Sequence, residues 1–150
     1  MVAIKIMKLK LCKDEVFAGI YLDGCTGYFV EENQIFEKFS MGAPFYNIGI
    51  VVNNSGDGEN EIYNNKIENL YVGILAQNQN RGLKGEGLCL KCNDMDKNEY
   101  DIAITGDSLC ELIGIARYQG SAVNDVTAPA NNTFTNSTKP YSDIYNGGEE

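Results

Sequence analysis

The chain contains no histidine and no tryptophan, and its only arginines are Arg81 and Arg117. Without an imidazole there is no Ser-His-Asp or Cys-His catalysis, no His-ligated zinc or haem, and no histidine pH switch. Basic charge is scarce: 12 Lys and Arg stand against 21 Asp and Glu, a net charge of -9 over 150 residues. Nucleic acid and anionic membrane surfaces need clustered Lys and Arg, so neither is an expected partner. Long apolar runs are missing too. None approaches the roughly 18–20 residues that span a bilayer, and membrane insertion is not expected.

Asparagine is abundant instead. The 17 Asn and 16 Gly are the residue types that most readily adopt positive φ. Scattered among short Ile, Val, Leu and Tyr segments, they predict tight turns between many short strands and no long helices. With 43% apolar residues the chain can build a core, and its length suits one domain.

The five cysteines, Cys12, Cys25, Cys89, Cys92 and Cys110, are an odd number, which argues against a fully paired disulfide framework. Cys89-Leu-Lys-Cys92 has CxxC spacing, but no second CxxC or histidine completes a zinc site. The pair lies in Gly87-Leu-Cys-Leu-Lys-Cys-Asn93, which alternates like a strand. Positions three apart on a strand point to opposite faces, so both thiols are expected to be structural. At the start of the chain, lysines alternate with apolar residues from Met1 to Leu11. That pattern suits a strand with one wet face, not the uninterrupted apolar core of a signal peptide.

Self-similarity is the strongest signal. An Asn-x-apolar element occurs four times: Asn33-Gln-Ile35, Asn65-Lys-Ile67, Asn93-Asp-Met95 and Asn132-Thr-Phe134. A second element, Gly-Ile-x-apolar, occurs at Gly19–Leu22, Gly49–Val52 and Gly73–Ala76, and Asp101–Ile104 repeats it with Asp replacing Gly. Asn65 precedes Gly73 by eight residues, Asn93 precedes Asp101 by eight, and Asn33 precedes Gly49 by sixteen. The longer interval implies an eight-residue insert around Ser40–Pro44. Heads of the second element are 30, 24 and 28 residues apart, a period of about two dozen with insertions confined to loops.

One such unit has no partner for its apolar face, whereas a stack of them does. Stacking predicts four apolar columns: Ile20, Ile50, Ile74 and Ile102; Leu22, Val52, Ala76 and Ile104; Val30, Ile62 and Leu90; and Ile35, Ile67, Met95 and Phe134. Asn33, Asn65, Asn93 and Asn132 would form a corner ladder, taking the left-handed conformation there and bonding their stacked neighbours. An antiparallel sandwich gives short strands as well, but no reason for Asn to recur at one phase. Leucine-rich repeats need a leucine-dense signature that is missing. The expected fold is all-β, a right-handed parallel β-helix over residues 1–136 with about four to six coils of roughly 24–30 residues. Residues 105–118 are expected to add a strand pair, and 137–150 to be a polar tail or linker. No capping helix is visible, which leaves end-to-end self-association open.

Three segments, Gly19–Tyr28, Asn60–Ile67 and Gly87–Asn93, resemble the parallel β-helix repeats of bacterial secreted and cell-surface proteins. The resemblance covers roughly residues 10–136 and is specific for fold. It implies an extracellular or cell-surface location within a longer exported parent, since this chain shows no export signal. It says little about activity, because such repeats serve lyases, hydrolases, adhesins and passive stalks alike.

Polysaccharide-active members of that class use carboxylates, often around Ca²⁺, beside a Lys or Arg. The candidates here are Asp57, Glu59 and Glu61 in one cluster and Asp94 and Asp96 in another, near Arg81, Lys91 and Lys97. Residues two apart share a strand face, so Asp94 and Asp96 suit a hard cation or a carboxylate pair. Asp94-Met-Asp-Lys-Asn98 starts like an EF-hand loop, but Glu99 and Thr105 replace its Gly and terminal Glu. Outward charge on a wet face is the ordinary use of such residues. No catalytic residue and no cofactor stand out, Ca²⁺ being the only ion suggested. Exposed Tyr, among Tyr21, Tyr28, Tyr46, Tyr63, Tyr71, Tyr100 and Tyr118, suits a sugar surface but shows no sustained column. The expected function is therefore non-enzymatic: a structural or binding module contacting a polysaccharide or surface protein along one face. A polysaccharide lyase or glycoside hydrolase is the alternative, and a passive stalk or assembly unit the second.

Overall fold

A computed structural model of the chain describes residues 2–4, 9–10, 18–37, 47–107, 112–120, 127–134 and 143–147. These residues form strands β1 (Val2–Ile4), β2 (Leu9–Lys10), β3 (Ala18–Asp23), β4 (Tyr28–Glu31), β5 (Gln34–Phe36), β6 (Ile48–Asn53) and β7 (Asn60–Tyr63). The chain continues with β8 (Lys66–Glu68), β9 (Val72–Gln77), β10 (Leu88–Lys91), β11 (Asp94–Asp96), β12 (Tyr100–Thr105), β13 (Thr133–Phe134) and β14 (Ile144–Asn146). No helix occurs among the described residues. The strands make three parallel sheets: sheet A in the order β1-β4-β7-β10, sheet B in the order β13-β11-β8-β5-β2, and sheet C in the order β14-β12-β9-β6-β3. From β1 to β12 each strand pairs with the one three places on, so the chain visits A, B and C once per period. The architecture is all-β with stacked parallel sheets, compatible with a β-helix.

The register aligns every predicted column. Ile20 pairs with Ile50, Ile50 with Ile74 and Ile74 with Ile102, while Leu22, Val52, Ala76 and Ile104 follow in the same ladder. Sheet A aligns Val30, Ile62 and Leu90, and sheet B aligns Ile35, Ile67, Met95 and Phe134. Nearly all of these residues belong to one buried core, Phe134 at the far end of sheet B being exposed. Register is the natural outcome, because a one-residue slip would turn a whole apolar row to solvent.

The corner between sheets A and B is held by amides. The Asn65 Oδ1 accepts from the Asn33 backbone N–H at 3.0 Å and from its Nδ2 at 2.9 Å. Asn93 Oδ1 takes the same two bonds from Asn65, and Asn132 Oδ1 takes them from Asn93. Nδ2 of Asn65, Asn93 and Asn132 donates to the carbonyls of Val30, Ile62 and Leu90 respectively. Each side chain thus supplies the donor and acceptor that the bent backbone of the preceding repeat lacks. The left-handed residue is not the ladder Asn but its predecessor: Glu32, Asn64, Cys92 and Asn131 all have φ between 51° and 58°. The bend thus falls one position earlier than expected, leaving the ladder Asn free to aim its amide along the stack.

Glycine at the head of sheet C strands answers a different need. A Cβ on Gly49 would lie 2.5 Å from the Gly73 carbonyl oxygen, and one on Gly73 would lie 2.6 Å from that of Asp101. Neither has positive φ, so close approach of adjacent backbones selects Gly. Beyond β10, residues 112–120 add no strand. A single bridge joins Gly114 to Gln79, and the Gln119 amide covers the edge of β10, accepting from Leu90 N–H at 2.7 Å and donating to the Leu88 carbonyl at 3.1 Å. Of the segment assigned to a polar tail, Ile144–Asn146 forms β14 on β12. Backbone pairing to an open sheet edge outweighs polar composition there. Cys12, Cys110, the Ser40–Pro44 insert and tail residues 137–142 and 148–150 lie outside the described residues. Cys25, Cys89 and Cys92 are free thiols. Cys92 sits at the corner after β10 and not within the strand, while burial raises the pKa of Cys89.

Asn65→Ala strips partners from the buried Asn33 N–H and Val30 carbonyl, so urea unfolding should show a loss of about 2–4 kcal/mol. That is comparable to truncating a core isoleucine. Gly73→Ala forces apart two strands of sheet C and should cost about 1–3 kcal/mol by the same measurement.

Candidate functional site

The carboxylates singled out in the sequence are dispersed. Asp57 and Glu59 are exposed in the loop between β6 and β7. Glu61 lies on sheet A and is occupied by Lys91, whose Nζ is 2.7 Å from its Oε2. Asp94 and Asp96 lie on sheet B, flanking buried Met95. Asp94 accepts from the Thr133 hydroxyl at 2.8 Å, and Asp96 pairs with Lys97 at 3.0 Å. The structure brings none of the first cluster to the second. Arg81 lies in the hairpin loop after β9, its Nε buried without a hydrogen-bond partner. Among the described residues, no group of three or more His, Cys, Asp or Glu is arranged to hold a metal ion.

A groove forms elsewhere, on the outer face of sheet C. The x position of the Gly-Ile-x-apolar element points away from the main core. Its occupants are Tyr21, Val51, Leu75 and Ala103, every one apolar or aromatic. Val51, Leu75 and Ala103 are buried together with Val72 in a second apolar cluster, against which Ile48, Tyr71 and Tyr100 pack. The central strands of sheet C are thus apolar on both faces, as fully buried strands are. The missing polar alternation in this element was the available signal for a second packed surface.

The groove has a volume of about 420 Å³, within the range of small-ligand sites. Its floor is apolar, formed by Val72, Leu75 and Ala103. Polar groups come from Gln77 and Thr105, adjacent in register at the ends of β9 and β12. The other end is aromatic. Tyr71 and Tyr100 meet edge to face with ring centroids 5.7 Å apart, and Tyr100 and Tyr145 lie 5.5 Å apart at a tilt of 51°. Tyr71 precedes β9, Tyr100 begins β12 and Tyr145 is in β14, so three successive repeats each supply one ring. Different columns contribute them: Tyr100 aligns with Val72, whereas Tyr145 aligns with Ala103. A search for tyrosine at one repeat phase therefore misses the cluster. Among the described residues, none that lines the groove is charged.

Compared with known protein families, curated proteins and solved structures, the chain matches none.

Because the five candidate carboxylates are dispersed, millimolar Ca²⁺ should leave the melting midpoint of the chain unchanged in a calorimetric scan. A rise of several degrees would show that they gather on an ion in solution, since a ligand that binds only the folded state stabilises it.

Proposed function

We propose that this chain is a right-handed parallel β-helix acting as a non-enzymatic module that binds a neutral glycan in the sheet C groove. Support for the fold comes from the three parallel ladders with their three-place pairing, together with the near-universal right-handedness of parallel crossovers. The observation that carries the function is the triple of Tyr71, Tyr100 and Tyr145 beside Gln77 and Thr105 in one groove. A sugar ring presents apolar C–H faces and a rim of hydroxyls. The tyrosine faces suit the former, and the amide and hydroxyl groups suit the latter. A net charge of -9 disfavours polyanionic glycans. The described lining residues are aromatic, aliphatic, amide and hydroxyl groups, which suit binding. The resemblance to exported bacterial repeats fits a setting outside the cell, where glycans are the available polymer.

Isothermal titration with xylan, mannan, soluble β-glucan and chitin oligosaccharides should reveal binding to at least one, and none to polygalacturonate. Tyr100→Ala, which removes the ring touching both of its neighbours, should weaken that binding by about tenfold or more, as truncation of a central aromatic anchor does. Absence of binding to all four neutral glycans, or equal binding by the variant, would sink the glycan reading.

A further inference from the structure

One wall of the groove is supplied by the least secured strand of sheet C. β14 is three residues long and exposed throughout, Ile144 at 56% and Tyr145 at 46%. Little apolar burial holds it. It is attached chiefly through its backbone: Ile102 N–H donates to the Asp143 carbonyl at 2.9 Å, and Gly147 N–H to that of Ile104 at 2.8 Å. Elements of this kind open at low free-energy cost, so a small local bias controls whether Tyr145 reaches Tyr100.

A carboxyl pair at the head of the strand supplies such a bias. Ile102 pairs with Ile144, which puts Asp101 and Asp143 at equivalent positions of adjacent strands, about 4.8 Å apart along the stack. Asp101 is wholly buried. Its Oδ1 accepts from Asn98 Nδ2 at 2.8 Å, while its Oδ2 is buried without a partner, as is Asp143 Oδ1. Both oxygens are therefore buried acceptors on adjacent strands, close enough for the charge of Asp143 to act on Asp101. Asp101 also occupies the position taken by Gly in the three preceding repeats, so carboxyls enter this column only where β12 meets β14.

We propose that a proton held on Asp101 Oδ2 and donated to Asp143 Oδ1 latches β14 onto β12, and that loss of this proton releases β14 and with it the Tyr145 wall of the groove. The consequence for ligand binding rests on the glycan reading above, whereas the latch itself does not. Burial, and secondarily the charges of Asp143 and Asp96, raise the pKa of Asp101 to about 6, against a lowering by the Asn98 bond. Among the described residues, the groups facing Asp101 are Gly73 from β9, Asn98 from the preceding corner, Asp96 from β11 and Asp143 from β14, none of them a cation. The sign follows. A carboxyl whose folded pKa lies above its unfolded value binds more protons when folded, so docking strengthens as pH falls through about 6 towards the unfolded value, and weakens above it.

Amide hydrogen exchange read by mass spectrometry, corrected for intrinsic rates at each pH, tests this on the whole chain without any sugar. Peptides spanning 143–147 should be about tenfold more protected at pH 5 than at pH 8, equivalent to one pKa unit of linkage, while peptides spanning 72–77 hold steady as reference. Asp101→Asn keeps the acceptor for Asn98 and places a permanent donor toward Asp143, so protection at pH 8 should rise to the pH 5 level. Asp143→Asn should do the same by donating to ionised Asp101. Equal protection of the wild type at both pH values, or pH dependence persisting in both variants, overturns the latch. Protection at pH 8 restored by millimolar Ca²⁺ would mark the pair as a cation site and overturn it equally. Glycan binding that ignores pH beside a pH-dependent β14 would instead count against the groove, so the two failures are distinguishable.

Discussion

A chain that bends sharply between parallel strands turns backbone N–H and carbonyl groups inward at every corner, and each must find a partner. The Asn33, Asn65, Asn93 and Asn132 ladder meets that requirement at one corner by spanning adjacent repeats: from Asn65 onward each oxygen receives the Asn below, and each amide nitrogen reaches a carbonyl below. A side chain placed one residue out of phase would leave several buried groups unpaired. The ladder therefore ties register, bend and repeat length together, and the apolar columns follow from it. Other amides continue the principle, Asn80 receiving Ser55 N–H and Asn98 receiving Leu70 N–H.

Once register is set, the side chains of sheet C acquire two duties. One row enters the main core, and the other builds a second apolar layer on the outside. Gly49 and Gly73 let the backbones close up at the head of this sheet. Close stacking brings Tyr71 and Tyr100 into edge-to-face contact although they belong to different repeats. The groove is thus a product of stacking: no single repeat contains it, and its tyrosines lie at unlike repeat positions.

The acidic residues show the opposite relation. They outnumber the basic residues and attract attention as chemistry, yet Glu61 is neutralised by Lys91, Asp96 by Lys97, and Asp57 and Glu59 face solvent. Two carboxyls that keep a buried oxygen without a partner are Asp101 and Asp143. One stands where a repeat expects Gly, and the other lies in a segment whose composition reads as tail. Both are exceptions to a pattern, and their relation depends on the alignment of β12 with β14.

The amino-acid sequence by itself determined the strand-and-corner period, the phase of the Asn ladder and all four inward columns. These are local or periodic properties: a strand needs alternation, a corner needs Asn, and identical neighbours along a stack need the same residue at the same phase. Tertiary structure alone decided the bend one residue before each ladder Asn, the use of Gln119 in place of a further strand at the edge of sheet A, and the assembly of Tyr71, Tyr100 and Tyr145. The physical reason is distance along the chain. Tyr71 and Tyr145 are 74 residues apart in unlike sequence contexts, and only parallel stacking with loops of unequal length brings their rings to one groove. Periodicity in a sequence reports what repeats, whereas a site built from what does not repeat exists only in the folded stack.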